Sequence, residues 1–517
     1  DIAVHLFDWV EAQYLVEACN IGGCNSSSVI TVTDVMLDTI GYFKAATPEV
    51  GFGTNLAMST DGDTLAVNAV AGVYIFRHNG VEWYQQELLT GSNTEAGCGF
   101  GASVALDADG NTLAVGAPGE DSSATGVNGD ETDNSATNSG AVYVFRVEGT
   151  SWRQQAYIKA SNTGTGDRFG GQLALSADGE TVAIAAPEED SRATGINGDQ
   201  YDDDGGTCKG ESGAVYVFRA DDSGWRQQAY VKASNTGIGE LERSDPIIAC
   251  FDGDYFGSVV ALSADGDTLA VGAPLEDGLS TGVNGDQSND GDISTNTGAA
   301  YVFRFDRDSW SQQAYVKPSA PAGGYFFGGP IALNASGNVL VVGATDDYNS
   351  AAGSVNEPPT ALNTQLPGSG AVYLLRFDGS AWSHDTYFKA SNAEKYDLFG
   401  FNIALSADGK TLAASAADED GNARGIGGDE NDNSAELSGA VYVYQFDGNT
   451  WGQPVYVKAS NTDARDRFGA GFRQGVSLSA DGTIMAVGAP GEDSAATGID
   501  GDQEDNSAES AGAVYVY

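Results

Sequence analysis

Along most of the chain, apolar positions come in short runs separated by turn residues, a pattern that predicts β-strands and no helices. The stretch from Phe100 to Ala160 sets the type. A Phe-Gly pair leads into Val104-Ala105-Leu106, which the hairpin signal Asp109-Gly110 connects to Thr112-Leu113-Ala114-Val115-Gly116-Ala117-Pro118. A long polar loop follows, then Ala141-Val142-Tyr143-Val144-Phe145, a short turn, and Trp152 leading into Gln154-Gln155-Ala156-Tyr157-Ile158-Lys159. The second run is nearly all apolar, as expected of a strand covered on both faces.

This four-strand pattern recurs. Its Phe-Gly landmark stands at Phe52, Phe100, Phe169, Phe256, Phe327, Phe399 and Phe468, giving seven units with a period of about 70 residues. The Asp-Gly turn recurs at Asp61, Asp109, Asp178, Asp265, Asp408 and Asp481, with Ser336-Gly337 in the fifth unit. A tryptophan precedes the fourth strand at Trp83, Trp152, Trp225, Trp310, Trp382 and Trp451. Seven such units predict an all-β fold, a seven-bladed β-propeller of four-stranded antiparallel blades spanning residues 40–517. The last unit ends at Tyr517 after its third strand, while Gly41-Tyr42-Phe43-Lys44 matches the fourth-strand wording Thr386-Tyr387-Phe388-Lys389. The N-terminal strand is therefore expected to complete the last blade, which hides an edge open to aggregation and ties the two ends of the array together.

Upstream, residues 1–33 alternate like strands, and residues 34–39 form a linker. The upstream segment resembles the last three strands of a fibronectin type III domain, with Tyr14 as the corner tyrosine and Ala18-Cys19-Asn20 with Gly22 at the final hairpin. It is half a β-sandwich, expected to act as a spacer.

The repeats themselves carry Gly-Ala-Pro after the second strand (Gly116-Ala117-Pro118, Gly272-Ala273-Pro274, Gly488-Ala489-Pro490) and a Gly-Ala-Val-Tyr-Val third strand. Together with the Phe-Gly start they resemble FG-GAP repeats, found in the integrin α-subunit propeller and in large secreted bacterial proteins. Bacterial surface proteins are the nearer likeness, through the repeated Ala-Leu-Ser-Ala-Asp-Gly wording and the fibronectin-like flank. The resemblance implies an extracellular or cell-surface protein that binds calcium and mediates adhesion. One departure matters: integrin-type repeats hold calcium between the first and second strands, and here that link is only Ser-Ala-Asp-Gly. Its aspartates read as hairpin formers.

The acidity lies instead between the second and third strands. Blade 2 offers Glu120, Asp121, Asn128, Asp130, Asp133 and Asn134; blade 3 offers Glu189, Asp190, Asn197, Asp199, Asp202 and Asp203. Blade 4 has Glu276, Asp277, Asn284, Asp286, Asn289 and Asp290, and blade 6 has Glu419, Asp420, Asp429, Asp432 and Asn433, with Gly427 where an Asn is usual. Blade 7 has Glu492, Asp493, Asp500, Asp502, Asp505 and Asn506, whereas blades 1 and 5 lack the pattern. Carboxylates, amide carbonyls and glycine-rich backbone suit Ca2+, a hard cation taking six to eight oxygens, better than Mg2+ or zinc. Several calcium sites are therefore expected, in blades 2, 3, 4, 6 and 7; a solvated, salt-adapted acidic surface is the competing reading. The turns at Asp167-Arg168 and Asp466-Arg467 fall on the same face, where their aspartates would complete a coordination shell or their arginines pair with loop acids.

Charge narrows the partners. With 73 acidic against 24 basic residues and a net charge of −49, the chain would be repelled by nucleic acid and anionic membrane. No apolar run is long enough to span a membrane. The lysines 44, 159, 232, 317, 389 and 458 recur in the fourth strand, either as guards against edge-to-edge pairing or as counter-charges to the loops. The tryptophans fill space between blades or form a carbohydrate-stacking belt. Cys19 with Cys24, and Cys208 with Cys250, are positioned as disulfides or free thiols, leaving Cys98 over.

Only His5, His78 and His384 occur, none in a repeated acidic loop, so no histidine-based catalytic site assembles from the motifs. Paired carboxylates leave a polysaccharide-active enzyme as a minor reading. The favoured function is a non-catalytic, calcium-binding adhesion module that meets a protein or glycan on a cell or matrix surface. The alternative is a structural subunit whose copies assemble into a filament, sheath or surface layer. The divergent fifth loop, Asp346 to Gly370 with Glu357-Pro358-Pro359, is the place expected for a specific contact.

Overall fold

The protein is described from a computed structural model. It covers residues 41–95, 97–201, 211–236, 253–288, 296–320, 323–350, 365–471 and 474–517, with the backbone of short strands at 13–14, 17–20, 23–26, 30–31 and 353–355. Seven antiparallel sheets follow one another in chain order. In blade 2 the strands are Ser103–Leu106, Thr112–Ala117, Ala141–Glu148 and Ser151–Ile158, each paired with the next. The first strands of successive blades touch around the whole ring, including that of blade 7 against that of blade 1. The second strands, such as Thr112–Ala117 and Thr181–Ala186, are buried along their full length, as their unbroken apolar runs require.

The ring closes through its N-terminal strand. Gly41–Phe43 pairs with Ala513–Val516, setting Phe43 opposite Val514 and Tyr42 opposite Tyr515. Blade 5 differs from expectation in having a fifth strand, Gly353–Val355, laid on the outer edge of Trp382–Lys389.

The core lies between blades. Val142, Val144, Ala156 and Ile158 of blade 2 pack against Phe169, Tyr216 and Phe218 of blade 3, and the cluster repeats around the ring. The tryptophans take the inter-blade role: Trp152, Trp310 and Trp382 are buried, and their indole N–H groups donate to Gln86, Gln228 and Gln313 of the preceding blade at 3.2, 2.9 and 2.8 Å. The glycine that opens each third strand is fixed by close approach. A Cβ on Gly140, where φ is +82°, would lie 2.1 Å from the Phe169 carbonyl oxygen, so the Phe-Gly turn and the Gly-Ala-Val-Tyr strand are the two halves of one contact.

In the upstream segment the backbone pairs Glu17–Asn20 with Gly23–Ser26, placing Cys19 opposite Cys24, and Gln13–Tyr14 with Ile30–Thr31. The rest of the fibronectin-like segment, the linker, Cys208 and Cys250 lie outside the described residues. Cys98 is a buried free thiol. Among the described residues no helix is long and apolar enough to cross a membrane.

Candidate functional site

The acidic loops begin with a glutamate that turns inward. Glu120 is 3% exposed, and its Oε2 accepts from the Lys159 ammonium at 2.7 Å and the Ser122 N–H at 3.1 Å. Its Oε1 accepts from the Tyr157 hydroxyl at 2.8 Å and the Asn93 amide at 3.0 Å. Four donors occupy a carboxylate with about four lone-pair directions. Lys159 and Tyr157 come from the outermost strand of the same blade, and Asn93 from the segment leaving the preceding blade, so one buried ion pair joins loop, sheet edge and neighbour.

The same set recurs four more times. Glu189 pairs with Lys232 at 2.8 Å, Glu419 with Lys458 at 2.9 Å, Glu492 with Lys44 at 2.5 Å, and Glu276 with Lys317. Tyr230, Tyr456, Tyr42 and Tyr315 donate to these glutamates at 2.8, 2.8, 2.9 and 2.6 Å. Asn162, Asn392, Asn461 and Asn235 supply the neighbour's amide, and each asparagine oxygen accepts from a third-strand tyrosine, for example Tyr515 to Asn461 at 2.5 Å. In blade 7 the lysine and tyrosine come from the N-terminal strand, so ring closure also completes the polar cluster.

These lysines are at most 1% exposed and are not edge guards; the counter-charge reading describes them. Burial pulls the ammonium of Lys232 below its usual range, and the charge of Glu189 opposes that fall. The tyrosines are held protonated, chiefly by burial.

What covers the edge is the loop itself. Val127, Ile196, Val283, Ile426 and Ile499 each form an antiparallel bridge to the outermost strand of their own blade, at Ile158, Val231, Val316, Val457 and Phe43. In blade 2 the Asn128 N–H donates to the Tyr157 carbonyl at 2.7 Å, and the Tyr157 N–H donates to the Asn128 side-chain oxygen at 3.0 Å. Asn128, Asn197, Asn284 and Asp500 all have φ between 53° and 55°, a left-handed turn that Asn tolerates and Gly adopts freely, which accounts for Gly427 in blade 6.

The remaining predicted ligands serve the loop. Asp121, Asp277, Asp420 and Asp493 accept backbone N–H groups of Asn138, Asn296, Leu437 and Ser510 at 2.7, 2.8, 2.8 and 2.6 Å, and Asp190 accepts that of Glu211 at 3.4 Å. Asp130, Asp199, Asp286, Asp429 and Asp502 are exposed and cap the N–H two residues ahead. Asp133 binds the Ser123 N–H at 3.1 Å, and Asp432 the Ser434 N–H at 3.1 Å. Asn134 reaches Glu95 at 3.0 Å and Asn506 reaches Asp463 at 2.7 Å, whereas the Ala495 N–H meets the Asp505 backbone carbonyl at 3.1 Å. Asp202, Asp203, Asn289 and Asp290 lie outside the described residues, and Asn433 has no side-chain hydrogen bond among the described residues.

Two sequence windows, residues 83–145 and 152–218, match the sequence model of the FG-GAP repeat family. Each window runs from a fourth-strand tryptophan through the third strand of the next blade, and the same landmarks recur in register through the other blades. These two segments are FG-GAP repeats, set in a seven-bladed β-propeller. Among solved structures it is similar to a chain in the mitotic checkpoint complex, at 12% identity over 88% of this chain and 93% of that one, with a TM-score of 0.44. It is also similar to the Cps50 (Swd1) β-propeller domain of Myceliophteria thermophila, at 10% identity over 86% and 95%, with a TM-score of 0.45. No curated protein matches it.

Among the described residues, the glutamates of the acidic loops are engaged by protein donors and do not point into a common cage. Among the described residues no three His, Cys, Asp or Glu side chains converge to hold a metal ion. The glutamates expected to anchor each cage have their oxygens turned inward to lysine, tyrosine and asparagine. The turn aspartates also stay local: Asp167 accepts from the Gly164 N–H and Asp466 from the Asp463 N–H, both at 2.8 Å. Arg168 and Arg467 do meet loop acids, Glu188 at 2.9 Å and Asp418 at 4.0 Å.

Sequence reasoning missed the tyrosines and asparagines. A signal was present, since Glu, Lys and Tyr occur together in blades 2, 3, 4, 6 and 7 and vanish together in blade 1, where Leu88 and Thr90 replace the tyrosine and lysine.

Proposed function

We propose that this FG-GAP propeller is a non-catalytic extracellular binding module, whose acidic loop face meets a basic protein surface or a glycan on a cell or in a matrix. The observation behind the reading is where the repeated ionisable side chains end up. Those that would serve as acid, base or nucleophile are buried and bonded to one another, and a catalytic group must reach its substrate. His384 is half-buried with its ring nitrogen 3.0 Å from the Lys317 carbonyl, and His78 sits against Asp63. Among the described side chains left facing outward are carboxylates at one repeated position, Asp130, Asp199, Asp286, Asp429 and Asp502, held on loops pinned to their own sheets. Such a face steers cationic partners and repels anionic ones.

Caged calcium has no part in this proposal, because its glutamates already have their donors. The structural-subunit reading is less favoured, since blades 2–7 lay their own chain over their outer edges. The deciding experiment presents the monomeric protein to arrays of glycans and matrix proteins at low and high salt. Salt-sensitive retention supports the module. Absence of retention, with ordered polymers in electron micrographs, would replace it with the structural reading.

A further inference from the structure

Among the described residues, blade 1 alone lacks a covering segment on its outer edge. Its second and third strands, Thr64–Ala69 and Gly72–His78, are joined through Val70-Ala71, too short to reach the fourth strand, Trp83–Leu89. Leu88 stands opposite Tyr74 as Tyr157 stands opposite Tyr143, and Thr90 takes the place of Lys159. In blade 2 the outward N–H and C=O of Tyr157 and the N–H of Lys159 bond to the loop. The corresponding groups of Leu88 and Thr90 have no partner among the described residues. Leu88 is 38% exposed, Tyr84 42% and Val70 82%, and a cleft of about 700 Å3 opens beside the edge, lined by Val50, Val70, Thr90, Thr94 and Phe100.

We infer that the outer edge of blade 1 receives an extended, basic segment of another protein as an added antiparallel strand. Six blades show what this edge accepts. In five it is a Thr-Gly-Val, Thr-Gly-Ile or Arg-Gly-Ile run with its β-branched residue bridged to the strand; in blade 5 it is Gly-Ser-Val. Main-chain hydrogen bonds give such an addition its affinity, and alternate side chains give its selectivity. Charge selects the partner. Glu49 accepts the Ala71 N–H at 3.0 Å, Glu95 lines the cleft and Glu82 immediately precedes the strand, while blade 1 contains no lysine and Arg77 is bonded to Gln86, Gly110 and Asn111. A second copy would bring a net charge of −49 to the same place. The inference goes beyond the acidic-face reading and uses a different surface.

The probe is a fluorescein-labelled peptide, Lys-Lys-Ala-Thr-Gly-Val-Asn-Gly-Lys-Lys, with a control in which proline replaces valine. Fluorescence anisotropy with the intact chain should show saturable binding that weakens about tenfold or more for the control and for Leu88→Asp. A second variant replaces Val70-Ala71 by the 118–139 loop of blade 2 and adds Leu88→Tyr and Thr90→Lys. It supplies the edge with its own cover and should abolish binding while keeping the native circular dichroism. No binding, equal binding of the two peptides, or binding that survives both variants would overturn the inference. A concentration-dependent dimer of the wild type that Leu88→Asp dissociates would also overturn it, in favour of a second copy. None of these results depends on array retention through the acidic loops.

Discussion

Replacing Lys232 by methionine tests whether the loops are held by a built-in cation. The ammonium lies 2.8 Å from Glu189, with both side chains at most 1% exposed. Methionine keeps much of the volume and removes the charge, so Glu189 is left buried without its cation. Three neutral donors remain, Tyr230, Asn162 and the Ser191 N–H at 2.8, 2.9 and 3.2 Å, and they soften the loss without matching an ion pair. Breaking a buried pair from one side costs about 3–5 kcal/mol. A ring of this length unfolds with an entropy of roughly 1 kcal/mol per kelvin, so the melting point should fall by about 3–5 °C. Lys232→Met combined with Glu189→Gln removes the stranded acid and should recover about half of that loss. The assay is scanning calorimetry at pH 7, run in chelator and in millimolar calcium, with no difference expected between the two for the wild type. A Lys232→Met protein that melts within about 1 °C of wild type, or a wild type that melts lower in chelator, would refute the built-in cation.

Three further outcomes follow from the same geometry. Gly427 has φ +73° with open space around its missing Cβ, and no partner for the Tyr456 N–H appears among the described residues; Gly427→Asn should stabilise by about 0.5–1 kcal/mol, whereas Gly427→Ala should destabilise by about 1 kcal/mol, as read from urea midpoints. Lys389, whose carboxylate partner Asp347 stands 3.6 Å away, is pulled by burial to about 8. Because that folded value lies below the unfolded one near 10.4, the unfolded chain holds more protons from about pH 8 to 10.4 and stability should rise across that window. Lys389→Met should abolish the rise and cost less at pH 7 than Lys232→Met, both measured by urea titration. Asp466 is pushed up to about 8 by burial and then by the charges of Glu492, Asp463 and Asp493, so the folded state holds the extra proton and stability should fall as pH climbs from about 4 to about 8. Asp466→Asn should flatten that fall; an unchanged slope would remove Asp466 as its source.

The architecture was legible because its signals are local and repeated. Phe-Gly turns, Asp-Gly hairpins and one tryptophan per fourth strand mark seven units, and the mismatch between Tyr517 and Gly41 foretold the closure seen in Val514 opposite Phe43. The loops were not legible to the same depth. Glutamate, aspartate and asparagine at fixed spacing have the composition of a cation site, and composition does not say which way a carboxylate points. Glu120 turns inward because Lys159, Tyr157 and Asn93 wait there, and these lie 39, 37 and 27 residues away along the chain. The lysines misled for a related reason: a charged residue on an outermost strand reads as exposed unless one knows that the preceding loop folds back over it.

Blades 5 and 1 serve as mutants of the same design. Blade 5 has Ala320 where the neighbour's asparagine should be and Asp347 where the glutamate should be. The third-strand tyrosine, which elsewhere meets the asparagine, here donates straight to the carboxylate: Tyr373 reaches Asp347 at 3.1 Å and Tyr387 reaches it at 2.9 Å. Loss of one polar partner is thus met by rerouting a neighbour's hydroxyl, as expected when an unsatisfied buried carboxylate is costly. Blade 1 shows the other solution. Glutamate, lysine, tyrosine and loop are all absent, and no buried charge is left behind at Leu88 and Thr90. Intermediate states, a lysine without its acid or an acid without its lysine, occur in no described blade. That all-or-none distribution within one chain is what a coupled ion pair produces, because either charge left alone in the interior would be costly.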